Sequence, residues 1–338
     1  MSKQLVGESR SPNGNSASSP PSGNEMPLTA HLLRLPVELQ AEVFQHMPNL
    51  KTAVALRLSC RQLNEVYLSN EDKITTALRE LIVAPFLEFY NLLQRIKFPA
   101  DSVKTPPPLG WPAMTPAACA GLDKTPFAIN VLRHLPCIND ADDDDRSNIT
   151  NIDFQCNAVD YSSLSPKKVP KKKNEEFWAV EFQGYFDQGD ENRISNIKHV
   201  FLVAQGYWKH GVILLLDTFS GMIFEEHIHI PGHHGARLPV HEYFAARIET
   251  VTKLHQVFIN GINPWDIPSD DATTDFEVEY DPGPKDSEGE PAAADSRTDK
   301  QEEWVRHLYR KFGWPGNDWK KEECMQAVAD FASRKQLR

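Results

Sequence analysis

Cysteine is scarce in this chain of 338 residues, with five thiols at Cys60, Cys119, Cys137, Cys156 and Cys324. The number is odd and no two stand as CxxC, so neither a disulfide framework nor a zinc knuckle is indicated. Reduced thiols of a cytosolic or nuclear protein fit this usage. Long apolar runs are missing too. None approaches the roughly 18 residues that cross a bilayer. The polar start, Met1-Ser2-Lys3-Gln4-Leu5, lacks the apolar core of a secretory signal. No membrane partner and a cytoplasmic or nuclear location are therefore expected.

Basic charge is not in excess either. The formal charge is −11, and the stretch 266–303 accounts for it with fourteen Asp or Glu against three Lys or Arg. The remainder is balanced. Nucleic acid is not an expected partner, because counterion release needs clustered Lys and Arg facing phosphate. Catalytic signatures are absent as well: there is no GxSxG, no HExxH, no P-loop lysine and no GxGxxG opening a helix. Glu225 and Glu226 are adjacent on an expected strand and point to opposite faces, so they cannot work as paired carboxylates. No enzyme activity and no cofactor are expected.

What is present is a composition of 40% hydrophobic and 25% charged residues, ordinary for a folded protein. The length suggests about two domains at roughly 150 residues each. Residues 1–28, rich in Ser, Pro, Asn and Gly, read as a disordered arm. Residues 29–72 read as a small helical module. Leu35, Leu39, Val43 and Met47 recur on one face, Pro48 and Asn49 break the helix, and Leu50, Val54 and Leu58, then Leu63, Val66 and Tyr67, mark two more. Residues 73–265 read as an α+β domain. It opens on a helix over 74–96 that Pro85 is expected to kink or break. A proline-rich connector over 106–112, a short helix over 125–136 and an acidic loop over 142–145 follow.

The period then changes to strands over 177–182, 199–205, 211–217 and 222–229, with turn chemistry at Asp217-Thr218-Phe219-Ser220-Gly221. The run 211–217 suits a central strand buried on both faces. Short connections favour an antiparallel meander. The helical period returns through Val240, Tyr243, Phe244, Ile248, Val251, Leu254 and Phe258. An acidic disordered linker, 266–303, and two final helices within 304–338 packing on the α+β domain complete the organisation. The fold class is α+β.

Three local patterns bear on function. His227-Ile228-His229, separated from Gly221 by five residues, resembles the opening of a cupin metal motif, but His233 and His234 stand where that motif needs a glutamate. Solvated histidines at a strand edge are the simpler reading, and no metal is assigned. The basic run Ser165-Pro166-Lys167-Lys168-Val169-Pro170-Lys171-Lys172-Lys173, in a loop over 165–174, is open to two readings, a nuclear-import signal or a solvated insertion. Trp314, between Gly313 and Pro315, suits a core cap at a turn. Trp208 is open between core and groove.

The module also carries Leu35-Pro36-Val37-Glu38-Leu39, Val43-Phe44 and Met47-Pro48, then Leu56, Ser59-Cys60-Arg61 and Leu63-Asn64. On these residues it resembles an F-box. Asn49-Leu50-Lys51-Thr52 departs from the family's aspartate-rich start of the second helix. The resemblance implies docking onto a Skp-family adaptor of a cullin-RING ubiquitin ligase, through a surface of Leu35, Pro36, Leu39, Val43 and Phe44, while the second domain holds an unknown target protein. The physical basis would be apolar area removed from water at roughly 25 cal/mol per Å² before association costs.

Other residues spread over about 85–330 are similar to a group of fungal proteins related to the SUKH superfamily of the glucan-synthesis-regulator type. They are Pro107-Pro108-Leu109-Gly110-Trp111-Pro112, Leu132-Arg133-His134-Leu135-Pro136, Ala158-Val159-Asp160-Tyr161, Leu214-Leu215-Leu216-Asp217-Thr218, Arg310-Lys311-Phe312-Gly313-Trp314-Pro315 and Glu322-Glu323-Cys324. That resemblance implies an α+β fold used for protein–protein contact. It leaves an alternative open, a SUKH-like scaffold without a ligase role whose N-terminal helices merely pack on the body.

Overall fold

A computed structural model of the chain describes residues 31–138, 151–153, 155–162, 196–206, 211–227, 234–259, 262–267 and 294–335. The N-terminal arm, the acidic loop 142–145, the basic loop 165–174, the expected strand 177–182, Trp208, His229 and most of the acidic linker lie outside the described residues.

Three short helices open the fold: α1 Val37–Gln45, α2 Leu50–Arg57 and α3 Arg61–Ser69. Pro36 precedes the first helical residue of α1, where a missing N–H is harmless. Asn49 caps α2 by accepting from the Thr52 backbone N–H at 2.9 Å. Each helix turns a few apolar residues inward, and Phe44 of α1 meets Tyr67 of α3 edge-on at 5.5 Å. The long helix α4, Glu71–Ile96, follows at once. It packs against α1 on one side and against a later helix of the body on the other, so the helical module and the body share one continuous core.

A two-residue pairing of β1 Val103–Lys104 with β2 Cys137–Ile138 flanks the short helices α5 Pro116–Cys119 and α6 Pro126–His134. Thr125 caps α6 and Pro126 begins it, the arrangement that a Thr-Pro pair favours. The main sheet has six antiparallel strands in simple sequential order: β3 Asn151–Asp153, β4 Cys156–Ala158, β5 Val200–Gly206, β6 Val212–Asp217, β7 Met222–His227 and β8 His234–Pro239. Every residue of β6 is buried, as a continuous apolar run requires of a central strand. Val212, Leu214 and Leu216 face the helices, while Ile213 and Leu215 join Val200, Leu202 and Phe224 in a second cluster on the other face.

Helix α7, Val240–Thr252, packs across the sheet onto α4, with Phe244 touching Phe86 at 4.5 Å and Phe89 at 5.3 Å. A hairpin of β9 Gln256–Ile259 and β10 Ile262–Asp266 comes next. Helices α8 Ala294–Lys311 and α9 Lys321–Lys335 close the fold. They are fastened to neighbouring elements by Tyr309, whose hydroxyl donates to the Phe258 carbonyl at 2.7 Å, and by Lys321, which donates to Gln94 and Phe98 carbonyls at the end of α4. Trp314 is buried and donates to the Thr252 carbonyl at 3.2 Å, the core role expected for it.

The α+β class and the antiparallel meander are as the sequence suggests. Two local expectations are corrected and one is narrowed. Of the kink or break expected at Pro85, the break does not occur, since Pro85 lies inside α4. The helical period read through Leu254 and Phe258 stops at Thr252. There Leu254 takes a left-handed conformation, φ 60°, its N–H bonds the Val251 carbonyl, and the next N–H bonds Thr250. Phe258 therefore belongs to a strand. The acidic stretch is also not wholly linker, since Asp266 ends β10 and residues 294–303 are already helical.

Candidate partner-docking surface

The surface begins in the turn before α1. The Arg34 N–H bonds the His31 carbonyl and the Leu35 N–H bonds the Leu32 carbonyl, both at 3.1 Å. Pro36 then starts the helix, and Pro36, Leu39 and Val43 fall along one flank of it at three- and four-residue steps. The adjoining side, Gln40, Ala41 and Phe44, faces the core.

Exposure separates the expected contact residues. Leu35 is 38% exposed, Val37 52% and Leu39 45%. Pro36 is exposed as well, and Val43 is half-buried. Phe44 is fully buried against Tyr67, so it supports the surface from beneath and does not belong to it. Its place in the pattern Val43-Phe44 does not distinguish a helix flank from a helix core face, which differ by one residue. The structure adds Val37 to the exposed set. Leu58 and Leu68 of the same module are exposed too, so among the described residues most of the large apolar side chains left in water belong to residues 35–68. Exposed apolar side chains are ordinary when scattered and informative when grouped.

Gln40 was not legible as a site residue. It is fully buried, and its Nε2 donates to the Leu35 carbonyl at 2.8 Å and reaches the Leu33 carbonyl at 3.5 Å. Its Oε1 accepts from Gln62 Nε2 of α3 at 3.2 Å. The one available signal was a polar residue in a slot between Leu39, Ala41 and Phe44.

The module is fixed to the sheet. The Lys51 N–H donates to the Phe219 carbonyl at 2.8 Å, in the turn between β6 and β7. Gly221 of that turn lies against Asn49, where an added Cβ would meet the Asn49 Cβ at 3.4 Å. Asp217 shapes the turn, accepting from the Phe219 N–H at 2.9 Å and the Ser220 hydroxyl at 2.7 Å.

Several titratable groups of the body are engaged in structure. Glu225 accepts from the Tyr243 hydroxyl at 2.8 Å and lies 3.3 Å from His227 Nε2. Among the described residues no group of three or more His, Cys, Asp or Glu is placed to hold a metal ion. Arg247 pairs with Asp153 and donates to Gln256 at 3.3 Å, and Gln256 donates to Asp266 at 2.9 Å, which ties α7 to β3, β9 and β10. Burial works against the charge of Arg247, but Asp153, Tyr243 and Glu225 hold its pKa above the ordinary value. Burial pushes the thiols of Cys137 and Cys324 up to about 12, so both are protonated and unreactive at neutral pH.

A groove of about 370 Å³ runs between α4 and α7, with Pro85, Phe244, Ala245 and Ile248 among its apolar lining and Glu88 and Lys253 at its rim. No helix among the described residues is long and apolar enough to cross a membrane.

No model of a known protein family, no curated protein and no solved structure matches the chain.

Proposed function

We propose that this chain is a non-enzymatic interaction adaptor acting in the cytoplasm or nucleus. In this reading its N-terminal helical module docks on a Skp-family adaptor of a cullin-RING ubiquitin ligase, and the α+β body holds a target protein. The observation that carries the proposal is the group of apolar residues Leu35, Pro36, Val37 and Leu39, left in water at the N-terminal end of a helix held to the core by Gln40, Ala41 and Phe44. Its sequence is also the part that resembles an F-box. Burying such a group on a partner is worth roughly 25 cal/mol per Å² before association costs.

The test is a binding titration of the full chain with purified Skp-family adaptor, with and without the paired changes Leu35→Ala and Pro36→Ala. Both residues are exposed, so the body keeps its fold in the variant. The proposal expects binding by the unaltered chain and a loss of about a hundredfold in the variant, on the order of two central contact residues. Equal binding by both chains, or by neither, removes it.

A second reading has its own support. The Lys51 bond to Phe219 and the shared core make residues 37–69 part of the body. A SUKH-like scaffold, with these helices as a fixed cap, is the function left standing if the adaptor does not bind.

A further inference from the structure

Gln40 is a fully buried amide on the core face of α1. A buried amide is costly unless its donors and acceptor are met. An aliphatic residue would hold the helix to the core equally well between Ala41 and Phe44. The bonds of Gln40 therefore point to another task. They run outward, to the Leu35 and Leu33 carbonyls of the turn that precedes the helix, and sideways to Gln62 of α3. The backbone bonds of that turn from Arg34 and Leu35 close within the turn itself. Pro36 has no N–H to anchor the junction.

We infer that Gln40 is a positioning residue for the docking surface: it fixes the Leu35 and Pro36 backbone relative to α1 and α3, so that the exposed apolar side chains meet a partner as one preset edge. The inference rests on the docking reading proposed above. Without the amide the same side chains are present, but the turn that carries Leu35 must be ordered on binding, which lowers affinity.

The experiment is a double-mutant cycle in the full chain, read as the dissociation constant for the purified Skp-family adaptor. Gln40→Met keeps the side chain's size and removes its donors. It is expected to weaken binding about tenfold. In a chain already carrying Leu35→Ala, the same change is expected to add less than about twofold, because the side chain being positioned is gone. Gln40→Leu, which removes the same bonds with a different shape, must give the same pattern and replaces the methionine variant if that one fails to fold. A purely structural role would weaken both backgrounds alike. Full affinity in Gln40→Met, or effects that simply multiply, overturns the inference while leaving the docking reading intact. Failure of the unaltered chain to bind removes the docking reading itself, and this inference with it.

Discussion

Lys97 ends α4 with its ammonium turned inward. Nζ donates to the Asn151 carbonyl at 2.6 Å and sits over the rings of Phe98 at 4.9 Å and Phe258 at 4.6 Å. Burial lowers its pKa from the ordinary 10.5 to about 7, a fall that Asp153 partly opposes. Between those two values the unfolded chain binds the proton and the folded chain releases it. Stability contributed at this site therefore rises with pH from about 7 towards 10.5, and the penalty for the charge is fully present below 7. Lys97→Met removes the titrating group. Denaturation midpoints measured at pH 7 and pH 8.5 are expected to differ less in the variant than in the unaltered chain. An equal difference in both would contradict this account of Lys97. Lysine at this position gives no such signal in the sequence, because its surroundings come from Asn151, Asp153 and Phe258, distant along the chain and brought together only by the fold.

At the scale of elements, α4 persists through Pro85. The ring removes one backbone bond, to the Leu81 carbonyl, and ordinarily costs a helix interior about 3 kcal/mol. Burial of the same helix at Ile74, Leu78, Ile82, Phe86, Phe89 and Leu93 outweighs that cost, since each large apolar side chain contributes roughly 1.5–3 kcal/mol. Pro85→Ala restores the N–H and is expected to raise stability by about 1 kcal/mol after the lost ring contacts in the groove are counted. Urea denaturation checks this, and an unchanged or lower midpoint would show that the groove contacts matter more than the missing bond. The end of α7 teaches the complementary lesson. Leu254 carries the apolar period onward, yet it occupies the left-handed position that glycine usually takes and is itself buried. Tertiary burial fixed the boundary there, and periodicity alone could not reveal it. Where burial and period agree, as in β6 or in α3, the elements were legible in the sequence.

For the molecule as a whole, the module is held between α4 and the turn at residues 217–221. Its exposed apolar residues therefore have a set orientation relative to the sheet. Of the five residues expected to dock, Leu35, Pro36 and Leu39 are in water, Val43 is half in and Phe44 is inside. The pattern of the helix was visible in the sequence. Which flank faced the core depended on α3 and α4, whose contacts a linear reading does not contain. Gln40 was hidden for the same reason, because its partners are a turn and a neighbouring helix.

The measurement closest to the central claim is hydrogen exchange on the full chain, alone and with a molar excess of purified Skp-family adaptor. The account predicts added protection over residues 31–40, where the exposed edge and its turn lie, with the exchange of α4 and the six-stranded sheet unchanged. No added protection over residues 31–40 in the presence of the adaptor would contradict it.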